Sequence, residues 1–125
     1  MKFVPTNELR YWWPIKIRMP NPDRSGQWKE ESFEMQFRAV DADRIRELQD
    51  DYAALKTPEE REAHEHDQLL NAACDWRGVV DGDNQPVPYS EGMLVTMLKA
   101  AVWFRQGIYE SYNRSLVSDA ARRGN

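Results

Sequence analysis

Two stretches near the N-terminal end alternate apolar and polar residues with a period of two, and this constrains the fold more than anything else in the chain. In the first, Trp13, Ile15, Ile17 and Met19 share one side, while Trp12, Lys16 and Arg18 share the other. In the second, Phe33, Met35, Phe37 and Ala39 oppose Ser32, Glu34, Gln36 and Arg38. Such alternation places successive side chains on opposite faces of a half-buried strand. Between the runs lies PNPDRSGQ, rich in turn formers. The two runs therefore form a hairpin with a long connection. Both apolar sets carry odd numbers, so facing residues must have numbers with an even sum; a slip of one residue would turn one apolar set to water. Registers of this kind bring Lys16 and Arg18 near Glu30 and Glu34 on the solvent side. Pro14 has no N–H to give a ladder, which places the first strand at a sheet edge or turns Pro14 away from its partner.

Beyond residue 40 the period lengthens. Ala42, Ile45, Leu48, Tyr52 and Leu55 recur at steps of three and four, the signature of an amphipathic helix starting near Asp41. Thr57-Pro58-Glu59-Glu60 is a strong start for a second helix. Thr57 caps, Pro58 suits the first position and Glu60 closes a capping box. That helix runs to about Cys74. The stretch DWRGVVDGDNQPVPYSEG then breaks helical character, with turn signals at Asp81-Gly82 and Asp83-Asn84. Ser90 caps the last helical region, with Tyr89 placed to staple onto Leu94. Its apolar stripe runs Met93, Leu94, Met97, Leu98, Ala101, Phe104, Ile108, Tyr112 and Leu116. Gly107 marks a bend or a close contact. Two strands alone do not stand in water, so helices or another subunit must cover the apolar hairpin face. The expected architecture is α+β and helix-dominated: an N-terminal β-hairpin or small antiparallel sheet, then about four helical segments. Residues 1–125 form one domain, with the hairpin at about 11–40 and the helical region at about 41–121.

Charge narrows the functional classes. The net charge is −4, unevenly spread: residues 42–75 carry four Lys/Arg against ten Asp/Glu. Non-specific nucleic-acid binding needs a basic face, so this balance argues against it. An acidic segment instead repels its own copies and attracts basic partner segments. Cys74 is the only cysteine, which rules out an intramolecular disulfide and fits a reducing cytoplasm. The start MKFVPTNELRYWW lacks the apolar run of a signal peptide, and no segment approaches membrane-helix length.

The residues that invite a catalytic reading do not assemble one. His64 and His66 are two apart and on a helix point to nearly opposite sides, whereas chelation there needs a spacing such as i,i+4. Ten residues separate His64 from Cys74, about 15 Å of helical rise, too far for a nucleophile and its base. Asp81, Asp83 and Asn84 open like a calcium loop, but Pro86 and Gly92 stand where that loop needs Gly and Glu. No glycine-rich phosphate loop is present. The expectation is a chain with no catalytic residues, no metal and no cofactor.

Aromatic surface is the remaining signal. The chain holds five Trp, five Tyr and four Phe, rings that need either a core or an interface. Trp13 belongs to the core side of its strand, while the alternation turns Trp12 outward. Candidate protein-binding residues are Tyr11, Trp12 and Trp28 at the hairpin, with Trp103, Phe104 and Tyr109 on the last helix. The same rings could join copies into a homo-oligomer. Met19, Met35, Met93 and Met97 are adaptable fillers for either purpose.

From Trp76 to Tyr112 the order of residues resembles the tail assembly chaperones of long-tailed phages and prophages. The resemblance lies in Trp76, Gly78 and Val79, an acidic turn at Asp81, then Pro86-Val87-Pro88-Tyr89-Ser90 entering an aromatic-rich helix with Trp103, Ile108 and Tyr112. It implies a small protein of the host bacterial cytoplasm that binds no nucleic acid or membrane. Its implied partners are the tape measure protein, which it would keep soluble, and the major tail protein, whose subunits it would help recruit. A structural tail-completion or head–tail connector protein retained in the virion is the alternative.

Overall fold

The computed structural model describes residues 9–117. The element order is β1 (Arg10–Pro20), β2 (Trp28–Arg38), α1 (Ala42–Ala54), α2 (Pro58–Ala72), β3 (Ala73–Arg77), α3 (Glu91–Ala100) and α4 (Val102–Ser115). The architecture is α+β, with a three-stranded antiparallel sheet of order β1-β2-β3 and four helices. β1 is an edge strand, as Pro14 requires. Tyr11 faces Phe37, Ile15 faces Phe33 and Arg18 faces Glu30. Every pair sums to an even number, so the odd-numbered apolar residues share the inner face.

The ion pairs on the outer face differ from the expectation. Arg18 does stand opposite Glu30, but Lys16 faces Ser32. Glu34 is taken by Arg77 of β3, which donates through Nε at 3.0 Å and Nη2 at 3.2 Å. A third strand supplies a fork that binds both carboxylate oxygens, which a lysine cannot match.

β3 is the main element absent from the hairpin reading. The helix expected to reach Cys74 ends at Ala72, and the chain turns straight into a strand that pairs with Glu34–Phe37 through an irregularity between Gln36 and Phe37. Trp76 is buried on the inner face. Its indole N–H donates to Val87 O at 2.7 Å, and its ring meets Phe33 and Tyr89 edge-on at 6.2 and 5.3 Å. Tyr89 therefore joins the Trp76 cluster. Val87 N–H donates to Val79 O at 2.9 Å, closing the intervening turn. Asp81 Oδ1 accepts from the N–H groups of Asp83 and Gln85 at 2.9 and 3.0 Å, and Asn84 takes a left-handed φ of 60°. Gly78, at φ 86°, makes the corner beside Phe33. The Trp76–Ser90 stretch is thus a folded corner in which Asp81, Gln85 and Ser90 bond to backbone while Arg77 reaches out to Glu34.

The helix starts follow local chemistry. Asp41 Oδ1 accepts from Arg44 N–H at 2.8 Å, Thr57 Oγ1 from Glu60 N–H at 3.1 Å and Ser90 Oγ from Met93 N–H at 3.1 Å. Glu60 reaches back to Lys56 N–H, one residue before the cap. The final helical region is two helices, divided at Ala101, which is extended at φ −159° and ψ 150°. No Gly or Pro stands there, so packing must impose the break. α3 sends Leu94 and Leu98 into the core, while α4 lies along β1.

Gly107 explains how closely α4 lies on β1. A Cβ there would come within 2.7 Å of Lys16 O and 2.8 Å of Ile17 Cδ1. One turn later Ser111 Oγ accepts from Lys16 N–H at 3.1 Å, and one turn later again Ser115 Oγ meets Tyr11 OH at 2.7 Å. Small residues at 107, 111 and 115 form one stripe of the helix. The core beneath is Ile15, Ile17, Met35, Phe37, Leu69, Leu94 and Ile108, all fully buried. The Tyr112 ring meets Phe37 at 4.7 Å, tilted by 49°.

Candidate functional site

The six aromatic residues singled out from the sequence do not gather into one patch. Tyr11 lies on the inner face, its ring 5.9 Å from Phe37 and its hydroxyl held by Ser115. Trp12 is on the outer face, half-buried beneath Arg77, whose guanidinium carbon sits 4.1 Å above the ring. With Glu34 neutralising Arg77, the three form a stack across all three strands. Exposed pairs of this kind are each worth about 1 kcal/mol or less. The outward direction of Trp12 follows from the alternation; its cover comes from β3.

Trp28 and Trp103 share one groove. They line a groove between β1 and α4 with Lys16, Arg18, Val102 and Glu110. Trp28 is 54% exposed and Val102 59% exposed, the most open large apolar residues on this side. Arg18 lies 5.4 Å over the Trp28 ring. Trp103 packs beside Phe104 at 6.5 Å, and both are partly buried against the core. A groove lined by two indoles and a valine can grip a polypeptide through apolar area.

Tyr109 belongs to a different depression, between α2 and the α3–α4 junction, with Glu62, His66, Leu98, Lys99 and Arg105. Arg105 Nη1 pairs with Glu62 there. Burial raises the Tyr109 phenol above its ordinary value, and Glu65 adds to the rise. His64 lies elsewhere, edge-on to Tyr52 at 5.9 Å. The two imidazoles thus line separate grooves. Among the described residues no cluster of three His, Cys, Asp or Glu is placed to hold a metal ion. No helix among them is long and apolar enough to cross a membrane.

A third groove runs between α1 and the body formed by α2 and α4. Ile45, Leu48 and Tyr52 line it on one side, with His64, Leu116 and Val117 on the other. None of the residues of α1 is buried, although its apolar stripe is complete. The sequence shows that stripe, but periodicity gives only direction and cannot show how far a helix stands from its neighbours.

Residues 34–115, from the middle of β2 to the end of α4, match the family model described as YdaY prophage protein. The matched region contains the whole Trp76–Ser90 corner and the Gly107–Ser111–Ser115 stripe. No curated protein and no solved structure matches the chain.

Proposed function

The chain belongs to the YdaY prophage protein family, and on that footing we propose that it is a non-enzymatic phage tail assembly chaperone. In this reading it holds the tape measure protein soluble before assembly and helps bring in major tail protein subunits. The observation that carries the reading is the β1–α4 groove, where Trp28 and Val102 stay open beside Lys16 and Arg18. Two open apolar side chains on one groove offer area whose burial against a partner is favourable. The rest of the chain is compatible: an acid-rich α1–α2 region keeps copies apart on a shared client, and Asp81 and Ser90 of the Trp76–Ser90 corner are committed to backbone N–H groups.

Co-expression with the tape measure protein tests this. The client should move to the soluble fraction and copurify with the chain, and Trp28→Ala combined with Val102→Asp should lose both effects while leaving the fold intact. Equal client solubility with and without the chain would remove the reading. Mass spectrometry of purified virions separates a chaperone, which should be missing, from a tail-completion or connector subunit, which should be present in fixed copy number.

A further inference from the structure

Four buried side-chain atoms among the described residues lack a hydrogen-bond partner: His64 Nδ1, Trp103 Nε1, Tyr109 OH and Tyr112 OH. Only Tyr112 belongs to a side chain that is almost wholly enclosed, at 2% exposure; the other three are half-buried. An enclosed donor left unpaired carries a free-energy cost that a bound acceptor removes. Tyr112 lines a pocket of about 320 Å³ bounded by the end of β2, the start of α1 and the end of α2. It is the only α4 residue in that lining, so its side chain, extending past the Phe37 ring, is what reaches the pocket. Gln68, which faces the hydroxyl without a bond of acceptable geometry, lines the same pocket. A phenol and a side-chain amide thus form its polar floor.

The remaining lining specifies what fits. Val40, Leu48 and Ala72 give one apolar wall. The charged lining residues are Arg38, Arg44 and Asp41. Arg38 is held in place by Nη1, which donates to Asn71 O at 2.8 Å and to Ala73 O at 3.5 Å. Asp41 Oδ1 is taken by the Arg44 N–H at 2.8 Å. Arg44 Nη1 meets Glu47, which lies outside the lining, at 3.0 Å. A guanidinium carries five N–H donors in a planar fork, so one such bond leaves donors for a second oxygen. Donors dominate: a phenol, an amide and two guanidiniums. Their natural complement is a group that only accepts, which an ionised carboxylate is. The apolar wall adds that this group sits on an apolar body, which inorganic phosphate lacks. The volume stands at the lower end of small-molecule sites, about 300–1,000 Å³, so the ligand is small.

We propose that this pocket binds a small organic carboxylate, its oxygens taking the Tyr112 hydroxyl and the Gln68 amide beside Arg38 and Arg44, and its apolar body lying on Val40, Leu48 and Ala72. The site is separate from the β1–α4 groove and does not depend on the chaperone reading. An occupant would touch α1 through Arg44 and Leu48 and the body through Gln68 and Tyr112, tying the helix with no buried residue to the core.

The test titrates the full chain with benzoate and hexanoate, with benzamide and hexanamide as neutral counterparts, and with inorganic phosphate, by calorimetry and amide-shift NMR. At least one acid should bind saturably, about tenfold or more tightly than its amide and than phosphate. Tyr112→Phe removes only the phenol oxygen and should weaken that acid about tenfold, with urea unfolding unchanged. Arg44→Gln keeps the backbone N–H that Asp41 caps and should weaken it by about as much. Binding should also slow amide exchange in α1. Failure of both acids to bind, an amide binding as well as its acid, or phosphate binding more tightly than either acid would overturn the proposal. So would binding indifferent to Tyr112→Phe and Arg44→Gln, or binding that leaves α1 exchange unchanged. Should Tyr112→Phe fail to fold, Arg44→Gln decides alone.

Discussion

α1 and α4 are helices of nearly equal length, 13 and 14 residues, yet they stand in opposite relations to the rest of the molecule. α1 has a side-chain cap and a clean apolar stripe, and buries none of its residues. α4 starts at Ala101 without a side-chain cap, and buries Gly107, Ile108, Ser111 and Tyr112. Local signals and tertiary commitment are therefore inversely distributed. The helix best specified by its own sequence is the one least needed by the core. The poorly capped helix is held by the strand it touches. Stability should concentrate at the α4–β1 seam, while α1 remains available for exchange with another surface.

The largest effect expected of that contrast is at the core below the seam. Phe37→Ala removes the ring that meets both Tyr11 and Tyr112, and should cost about 3–5 kcal/mol in urea unfolding. Gly107→Val places carbon where Lys16 O and Ile17 already lie. It should cost about 1–3 kcal/mol or more and lower the melting temperature. If Gly107→Val melted like the parent protein, the close approach of α4 to β1 would be disproved. Ser111→Ala leaves the Lys16 N–H without its acceptor and should cost about 1–3 kcal/mol. Against these, Leu48→Ala in α1 should cost less than about 1 kcal/mol, since no packed cavity is formed. Amide exchange should sharpen the comparison further, with α1 protons exchanging through local opening and those of Ile15 and Ile17 only through global unfolding. Protection of α1 equal to that of β1 would erase the distinction.

The smallest effect is at neutral pH, where Tyr112→Phe should leave stability nearly unchanged because the phenol has no good hydrogen bond. Gln68 faces it and moderates its titration, but no bond of acceptable geometry forms. At high pH the same position matters. Burial, with Tyr11 adding to it, pushes the Tyr112 phenol up to about 12 from an ordinary 10.0. Folding thus disfavours the phenolate, so the contribution is complete below pH 10 and lost as pH rises toward about 12. Tyr11, Tyr89 and Tyr109 are raised in the same direction by burial. Tyr112→Phe should flatten the alkaline limb of stability without abolishing it.

The strands at Trp13–Met19 and Phe33–Phe37 were legible because a period of two maps each residue to a face, and the parity of the two sets then restricts the register. The caps at Asp41, Thr57 and Ser90 were legible because a capping side chain acts on backbone three residues away. β3 was not. Its five residues hold one large ring, Trp76, and the irregularity opposite Gln36 and Phe37 breaks the alternation that would announce a strand. The break at Ala101 was hidden for a different reason: the residue has no chemistry that ends a helix, and the turn follows from α4 having to meet β1. The small residues at 107, 111 and 115 recur at helical spacing, but a serine does not announce a close contact as a helical glycine does, and spacing does not name the strand they meet. The aromatic site was legible in identity and not in placement. Alternation turns Trp12 outward but says nothing of Arg77 covering it, and no pattern brings Trp28 and Trp103 to one groove.

The seam keyed by Gly107, Ser111 and Ser115 also sets an order of events during synthesis. β1 leaves the ribosome well before its covering helix, with about a hundred residues between Tyr11 and Ser115. A helix that slid by one turn, about 5.4 Å, would drive a side chain into the strand backbone, so α4 has one seat. The first strand must therefore wait, partly bare, until the last helix emerges, and such distant pairing is slow to form. Any ribosome that stops short of residue 115 releases this sheet without its complete lid.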